Sequence, residues 1–101
     1  MKLPKRVETH NETCALYMGL FKRRDELKEY LRTKGIETKI HYPKPLHLQH
    51  AARENCKFNP RDMANSEHQA RHLLTLPVHQ FLGEYEINYI ADQIFAFYEK
   101  N

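Results

Sequence analysis

Between Cys14 and Phe21 the residues Leu16, Tyr17, Met18, Leu20 and Phe21 crowd around Gly19 with little polar interruption, which predicts a strand buried on most of its surface. From Arg24 to Lys34 the spacing changes. Leu27, Tyr30 and Leu31 fall on one face of a helix, and Asp25 and Glu26 lie in its first turn, where acidic side chains complement the helix dipole. Gly35 follows, and a glycine there can take the left-handed conformation that closes a helix. Ile36, Thr38 and Ile40 then alternate with Glu37 and Lys39, the period of a strand with one buried face. Strand, helix and strand in this order predict a β-α-β unit.

The second half is less regular. From Lys44 to Pro60 only a helical turn around Leu46 to Arg53 is expected, with a turn at Asn59-Pro60. A helix over about Met63 to Leu74 places Ala70, Leu73 and Leu74 inward, and Pro77 ends a short strand through Thr75 and Leu76. Ile87, Ile90, Ala91, Ile94 and Phe97 or Tyr98 then form the clearest stripe, repeating at the spacing of one helical face. Met1 to Thr13 is polar and aperiodic and reads as an extended arm or a cut end. The pattern predicts an α/β (α+β) fold: an arm over 1–13, then a domain over 14–101 with a short sheet packed by about three helices.

Length and charge narrow the picture without changing it. At 101 residues the chain is one small domain with a modest core. No stretch approaches the roughly 20 apolar residues of a membrane span, and no apolar run follows Met1 to Arg6 as a signal peptide requires. A cytoplasmic protein without a membrane partner is expected. Sixteen Lys+Arg against thirteen Asp+Glu give a net charge of +3, spread in short clusters, which does not point to nucleic acid. Cys14 and Cys56 lack CxxC spacing, so reduced thiols are expected, although a disulfide between them stays open.

Seven histidines raise the question of a metal. His68 and His72 stand at i, i+4, but no carboxylate lies between them as in HExxH and neither cysteine is near, so the pair reads as half-exposed surface beside an apolar stripe. His41, His47 and His50 share one loop stiffened by Pro43 and Pro45. They could gather a phosphate, a carboxylate or a metal, or His47 and His50 could simply cover a helix end. A phosphate loop, a nucleophile elbow and a dinucleotide turn are all absent, since only Gly19, Gly35 and Gly83 are available. Catalysis within this chain alone is not expected.

The run Gly35-Ile36-Glu37-Thr38-Lys39-Ile40-His41-Tyr42-Pro43-Lys44-Pro45-Leu46-His47-Leu48-Gln49 resembles the C-terminal domain of the DegT/DnrJ/StrS family of sugar aminotransferases. Two later motifs are collinear with it. Leu74-Thr75-Leu76-Pro77 resembles the family's L-S-L-P segment, and Glu84 to Ile90 resembles the acidic start of its last helix, although Gly83 stands where a serine or threonine cap is common.

The resemblance implies the small C-terminal domain of a fold type I aminotransferase. Family members use pyridoxal phosphate to move an amino group onto a keto sugar linked to a nucleotide, in amino-sugar and cell-surface polysaccharide biosynthesis. Their Schiff-base lysine and most of the cofactor pocket lie in a large N-terminal domain, so the resemblance implies no catalytic, cofactor-binding or metal residue in this chain. It implies that His41, Tyr42, Pro43 and His47 face the sugar. The partners implied are that large domain, a nucleotide sugar and an amino donor, and a homo-oligomer is expected because a separated domain exposes its docking face. The rival expectation is a stand-alone binding or regulatory module that uses the His41 to His50 loop.

Overall fold

The computed structural model describes residues 1–100. Helix α1 spans Arg24–Thr33 and buries Leu27 and Leu31 on the face set by their spacing. It ends in a Schellman turn: Gly35 sits at φ 78°, its N–H donates to Arg32 O at 3.1 Å, and the Ile36 N–H donates to Leu31 O at 2.9 Å. Ile36 and Leu31 both enter the core, the apolar contact that accompanies this motif. A side chain at Gly35 would meet no heavy atom within 4 Å, so the cost of adding one lies in the backbone angle alone. Gly35→Ala is therefore expected to lower stability by about 1 kcal/mol. It should appear as a lower urea midpoint at constant slope; an unmoved midpoint would mean that this helix end does not depend on the left-handed residue.

Strands β1 (Tyr17–Leu20) and β2 (Leu73–Leu76) pair antiparallel, with Tyr17 opposite Leu76 and Leu20 opposite Leu73. Single antiparallel bridges extend this sheet on both flanks, Lys2 with Leu20 and Lys39 with Thr75. The start of the 1–13 arm is thus paired onto the sheet edge. Because the segment through Lys39 and β1 both run antiparallel to β2, they run parallel to each other with β2 between them. The expected β-α-β unit is a split one. Leu74 and Thr75 are both buried, as befits a strand enclosed on two faces, and that enclosure gives β2 the central place. The expected strand over Ile36 to Ile40 reduces to the Lys39 bridge, yet its alternation survives: Ile36 and Thr38 are buried, Glu37 and Lys39 exposed.

Two boundaries differ from the sequence expectation. The helix expected over Met63 to Leu74 is a 3-10 turn at Pro60–Met63 followed by α3 (Ala64–His72), and Leu73 and Leu74 belong to β2. Pairing with β1 wins the two leucines because it buries Leu74 fully, which a helical continuation would not require. A short helix, α2 (His50–Asn55), brings the described α-helices to four with α4 (Glu84–Lys100). At the start of α4, Gly83 does not cap through a hydroxyl. The Glu86 carboxylate instead accepts the Gly83 N–H at 3.0 Å, the reciprocal half of a capping box.

Helices α1 and α4 are tied antiparallel by tyrosines. Tyr98 donates to Lys22 O at 2.7 Å near the start of α1, Tyr89 donates to Lys34 O at 2.8 Å at its end, and Tyr30 donates to Gln93 between them. Burial pushes the Tyr98 phenol up, against a smaller opposing pull from Arg23. The core of Phe21, Leu27, Leu31, Ile36, Leu74, Ile94 and Phe97 lies among these helices and the sheet. From the α4 stripe Ile94 and Phe97 are buried in it, and Ile90 and Tyr98 pack against it partly buried. Ile87 remains exposed beside Met1, Leu3, Val78 and Phe95 around an apolar groove of about 530 Å³. The radius of gyration, 16.0 Å, exceeds the roughly 13 Å of a compact 100-residue domain. The chain is open in shape, with apolar surface beyond what its own core covers.

Candidate functional site

The His41–Thr75 pair stands at a cleft of about 580 Å³. Three segments supply its polar lining, Glu37, Lys39 and His41 from the extended run after α1, Thr75 to His79 from β2 and the loop beyond, and Tyr85, Glu86 and Tyr89 from α4, and Ala15 and Leu16 before β1 add apolar contacts. Each segment is placed by a feature already described. The Gly35 turn aims the first, the Lys39 bridge locks it to β2, and Pro77 ends β2 so that the chain leaves the sheet beside α4.

His41 is half-buried and its Nδ1 lies 2.7 Å from Thr75 Oγ1. Thr75 is 6% exposed, and its backbone exchanges both hydrogen bonds with Lys39, at 2.7 and 3.1 Å. Tyr42 is 72% exposed and packs edge-to-face on the His41 ring at 5.3 Å, so its phenol is free to meet a ligand. Pro43 is exposed beside it.

His47 is placed differently. It is 8% exposed, its Nε2 lies 3.0 Å from Glu67 Oε1 on α3, and its ring meets Phe58 edge-to-face at 5.2 Å. These contacts tie the 3-10 turn Leu46–Leu48 to α3, while Gln49 donates back to Lys44 O at 3.3 Å and closes the loop. The proline-stiffened run therefore divides its labour: His41 lines the cleft with the exposed Tyr42 packed on its ring, and His47 anchors the loop that follows them. His50 is exposed, 3.4 Å from Glu54.

The His68 and His72 rings stack at 4.2 Å, and the His72 Nδ1–H donates to His68 O. Among the described residues no group of three or more His, Cys, Asp or Glu is placed to hold a metal. Cys14 and Cys56 are free and exposed. Thr75 was not singled out from sequence, although the L-T-L-P segment carries a hydroxyl where the resembling motif has serine, and that shared hydroxyl was the available signal.

Pyridoxal phosphate needs a cradle of backbone N–H groups for its phosphate, an amine for the Schiff base and a partner for its ring nitrogen. The cleft does not supply that set. The helix end it contains, the start of α4, already holds the Glu86 carboxylate, which would repel a phosphate. Its one lining lysine, Lys39, is an exposed residue of the sheet flank.

The model of the DegT/DnrJ/EryC1/StrS aminotransferase family matches residues 1–95. A "pleiotropic regulatory protein" of Geobacillus stearothermophilus is 32% identical over 95 residues, covering 94% of this chain and 25% of the relative. The dTDP-3-amino-3,4,6-trideoxy-alpha-D-glucose transaminase of Streptomyces venezuelae is 39% identical over 56 residues, covering 55% of this chain and 14% of that enzyme. The crystal structure of a DegT DnrJ EryC1 StrS aminotransferase from Brucella abortus superposes with a TM-score of 0.87 at 33% identity, over 95% of this chain and 26% of that one. The chain spans at most about a quarter of the length of each. No helix is long and apolar enough to cross a membrane among the described residues.

Proposed function

Because this chain belongs to the DegT/DnrJ/EryC1/StrS aminotransferase family, we propose that it is the C-terminal domain of a pyridoxal-phosphate-dependent transaminase of nucleotide-linked keto sugars, active only when joined to the part that holds the cofactor. The observation that carries this reading is the superposition of nearly the whole chain on about a quarter of a family aminotransferase. The Streptomyces relative, whose name specifies a dTDP-linked aminodeoxysugar, favours a nucleotide sugar. Bound to the rest of the enzyme, pyridoxal phosphate supplies the electron sink for amino transfer.

This chain's own residues then bind and orient. The His41 imidazole and the Tyr42 phenol can hydrogen-bond sugar hydroxyls or phosphate oxygens, and the Tyr42 ring also offers an apolar face. Pro43 limits the freedom of the backbone that carries them, and His47 contributes through the anchored loop rather than by direct contact. The exposed apolar groove supports docking onto the rest of the enzyme and assembly into a homo-oligomer in the cytoplasm.

The test is a chimera in which this chain replaces the matching segment of the Streptomyces transaminase. The chimera is expected to form an internal aldimine band and to transaminate, whereas the isolated chain with added pyridoxal phosphate should do neither. His41→Ala in the chimera should lower kcat/KM by about 10- to 100-fold, the loss of one or two substrate hydrogen bonds. A stoichiometric aldimine band on the chain alone would overturn its dependence on the remainder, and an unchanged kcat/KM would remove His41 from the sugar pocket. The stand-alone module draws support from the regulatory name of the Geobacillus relative; it would prevail if the isolated chain bound a dTDP-sugar tightly at His41 while the chimera stayed inactive.

A further inference from the structure

The hydroxyl of Thr75 has a single choice of partner, and that choice has a chemical consequence at His41. Its backbone N–H and C=O are both spent on Lys39. In a strand there is no carbonyl three or four residues back for a threonine hydroxyl to reach, as there is in a helix. Among the described residues the partner of Oγ1 is His41 Nδ1, at 2.7 Å. The threonine is nearly fully buried.

Two arrangements satisfy that distance. If Nδ1–H donates, the hydroxyl proton of Thr75, a residue only 6% exposed at the wall of the cleft, is left without an acceptor among the described residues, and orphaned donors with so little access to solvent are rare and costly. If the hydroxyl donates, only oxygen lone pairs go unused, which is the less costly omission. The second arrangement leaves the neutral ring with its proton on Nε2. Nε2 has no partner among the described residues, and His41 lines the cleft.

We infer that Thr75 is a positioning residue that holds His41 as the Nε2–H tautomer, so that the imidazole offers its ligand a hydrogen-bond donor rather than a lone pair. The ligand atom it matches is an acceptor oxygen, such as a sugar hydroxyl, a keto group or a phosphate. A divalent cation, which needs the bare nitrogen, is disfavoured. The identity of the ligand rests on the sugar reading above; the tautomer does not.

The tautomer is read directly on the 101-residue chain, uniformly labelled with 15N, from two-bond proton-nitrogen correlations of the His41 ring at a pH where the ring is neutral. In the wild-type chain, Nδ1 should resonate as a hydrogen-bonded acceptor nitrogen and Nε2 as the protonated one. Thr75→Val keeps the side-chain shape but removes the hydroxyl, and should move Nδ1 to the position of a free acceptor and admit the second tautomer. Thr75→Ser should restore the wild-type pattern. Nδ1 carrying the proton in the wild type would overturn the inference, as would identical His41 spectra for Thr75→Val and Thr75→Ser. Should Thr75→Val fail to fold, the wild-type and Thr75→Ser spectra still decide. No ligand is present, so failure here leaves the sugar reading standing, and loss of the sugar reading leaves this result intact.

Discussion

Phe21→Ala is expected to destabilise the chain by about 3–5 kcal/mol, the range for removing a fully buried aromatic ring. Phe21 is wholly inaccessible and belongs to the cluster of Leu27, Leu31, Leu74, Ile94 and Phe97. It sits where β1 gives way to α1, and its N–H donates to His72 O at 2.9 Å, so the ring is fixed by backbone as well as by packing. Its neighbour Gly19 shows how closely the strand approaches it. A Cβ at Gly19 would lie 2.9 Å from Phe21 Cε2, inside contact distance, so the glycine makes room for the ring. A domain of this size has about 5–15 kcal/mol in total. The substitution should therefore lower the thermal midpoint by about 15–30 °C, measurable by circular dichroism. A shift of only a few degrees would mean that the core does not centre on this ring.

Arg24→Met comes second, at about 2–4 kcal/mol. Arg24 is 8% exposed although it is the first residue of a helix, and no apolar pattern predicts that burial. Its Nη1 donates to Ala70 O and Leu73 O, each at 2.9 Å, carbonyls at the C-terminal end of α3 where helical partners run out. The guanidinium is thus a cationic cap on a helix C-terminus supplied from a distant element. Methionine replaces the stem but leaves these carbonyls without a donor, and each unsatisfied buried group costs about 1–3 kcal/mol. The ion pair with Asp25 contributes far less, because the Asp25 side chain is 83% exposed. Chemical denaturation of Arg24→Met beside Asp25→Ala separates these contributions. Equal losses in the two variants would show that the exposed pair, and not the carbonyls, holds the arginine.

Local chemistry made a large part of the molecule legible. Helix α1, its Gly35 stop, the alternation over Ile36 to Ile40 and the stripe of α4 all rest on side-chain period or on a residue's own backbone freedom, which a sequence carries directly. The collinear motifs pointed to the family that the whole-chain match establishes. The choice of His41 and Tyr42 as candidate substrate-facing residues rests on that resemblance and not on period.

What the sequence pattern left open was decided by contacts between distant residues. The Arg24 cap joins residues 46 and 49 positions apart, the His41–Thr75 bond spans 34, and the His47–Glu67 pair spans 20. Leu73 and Leu74 show the same competition. Their apolar spacing suits the end of α3 or the start of β2, and only pairing with β1, which buries Leu74, selects the strand. That selection inserts β2 between β1 and the Lys39 segment, brings Thr75 under His41 and places His47 against α3. Period and caps are properties of a few neighbouring residues, so the sequence determines the elements; the partners of a buried polar side chain depend on which elements meet, so the tertiary structure determines the site.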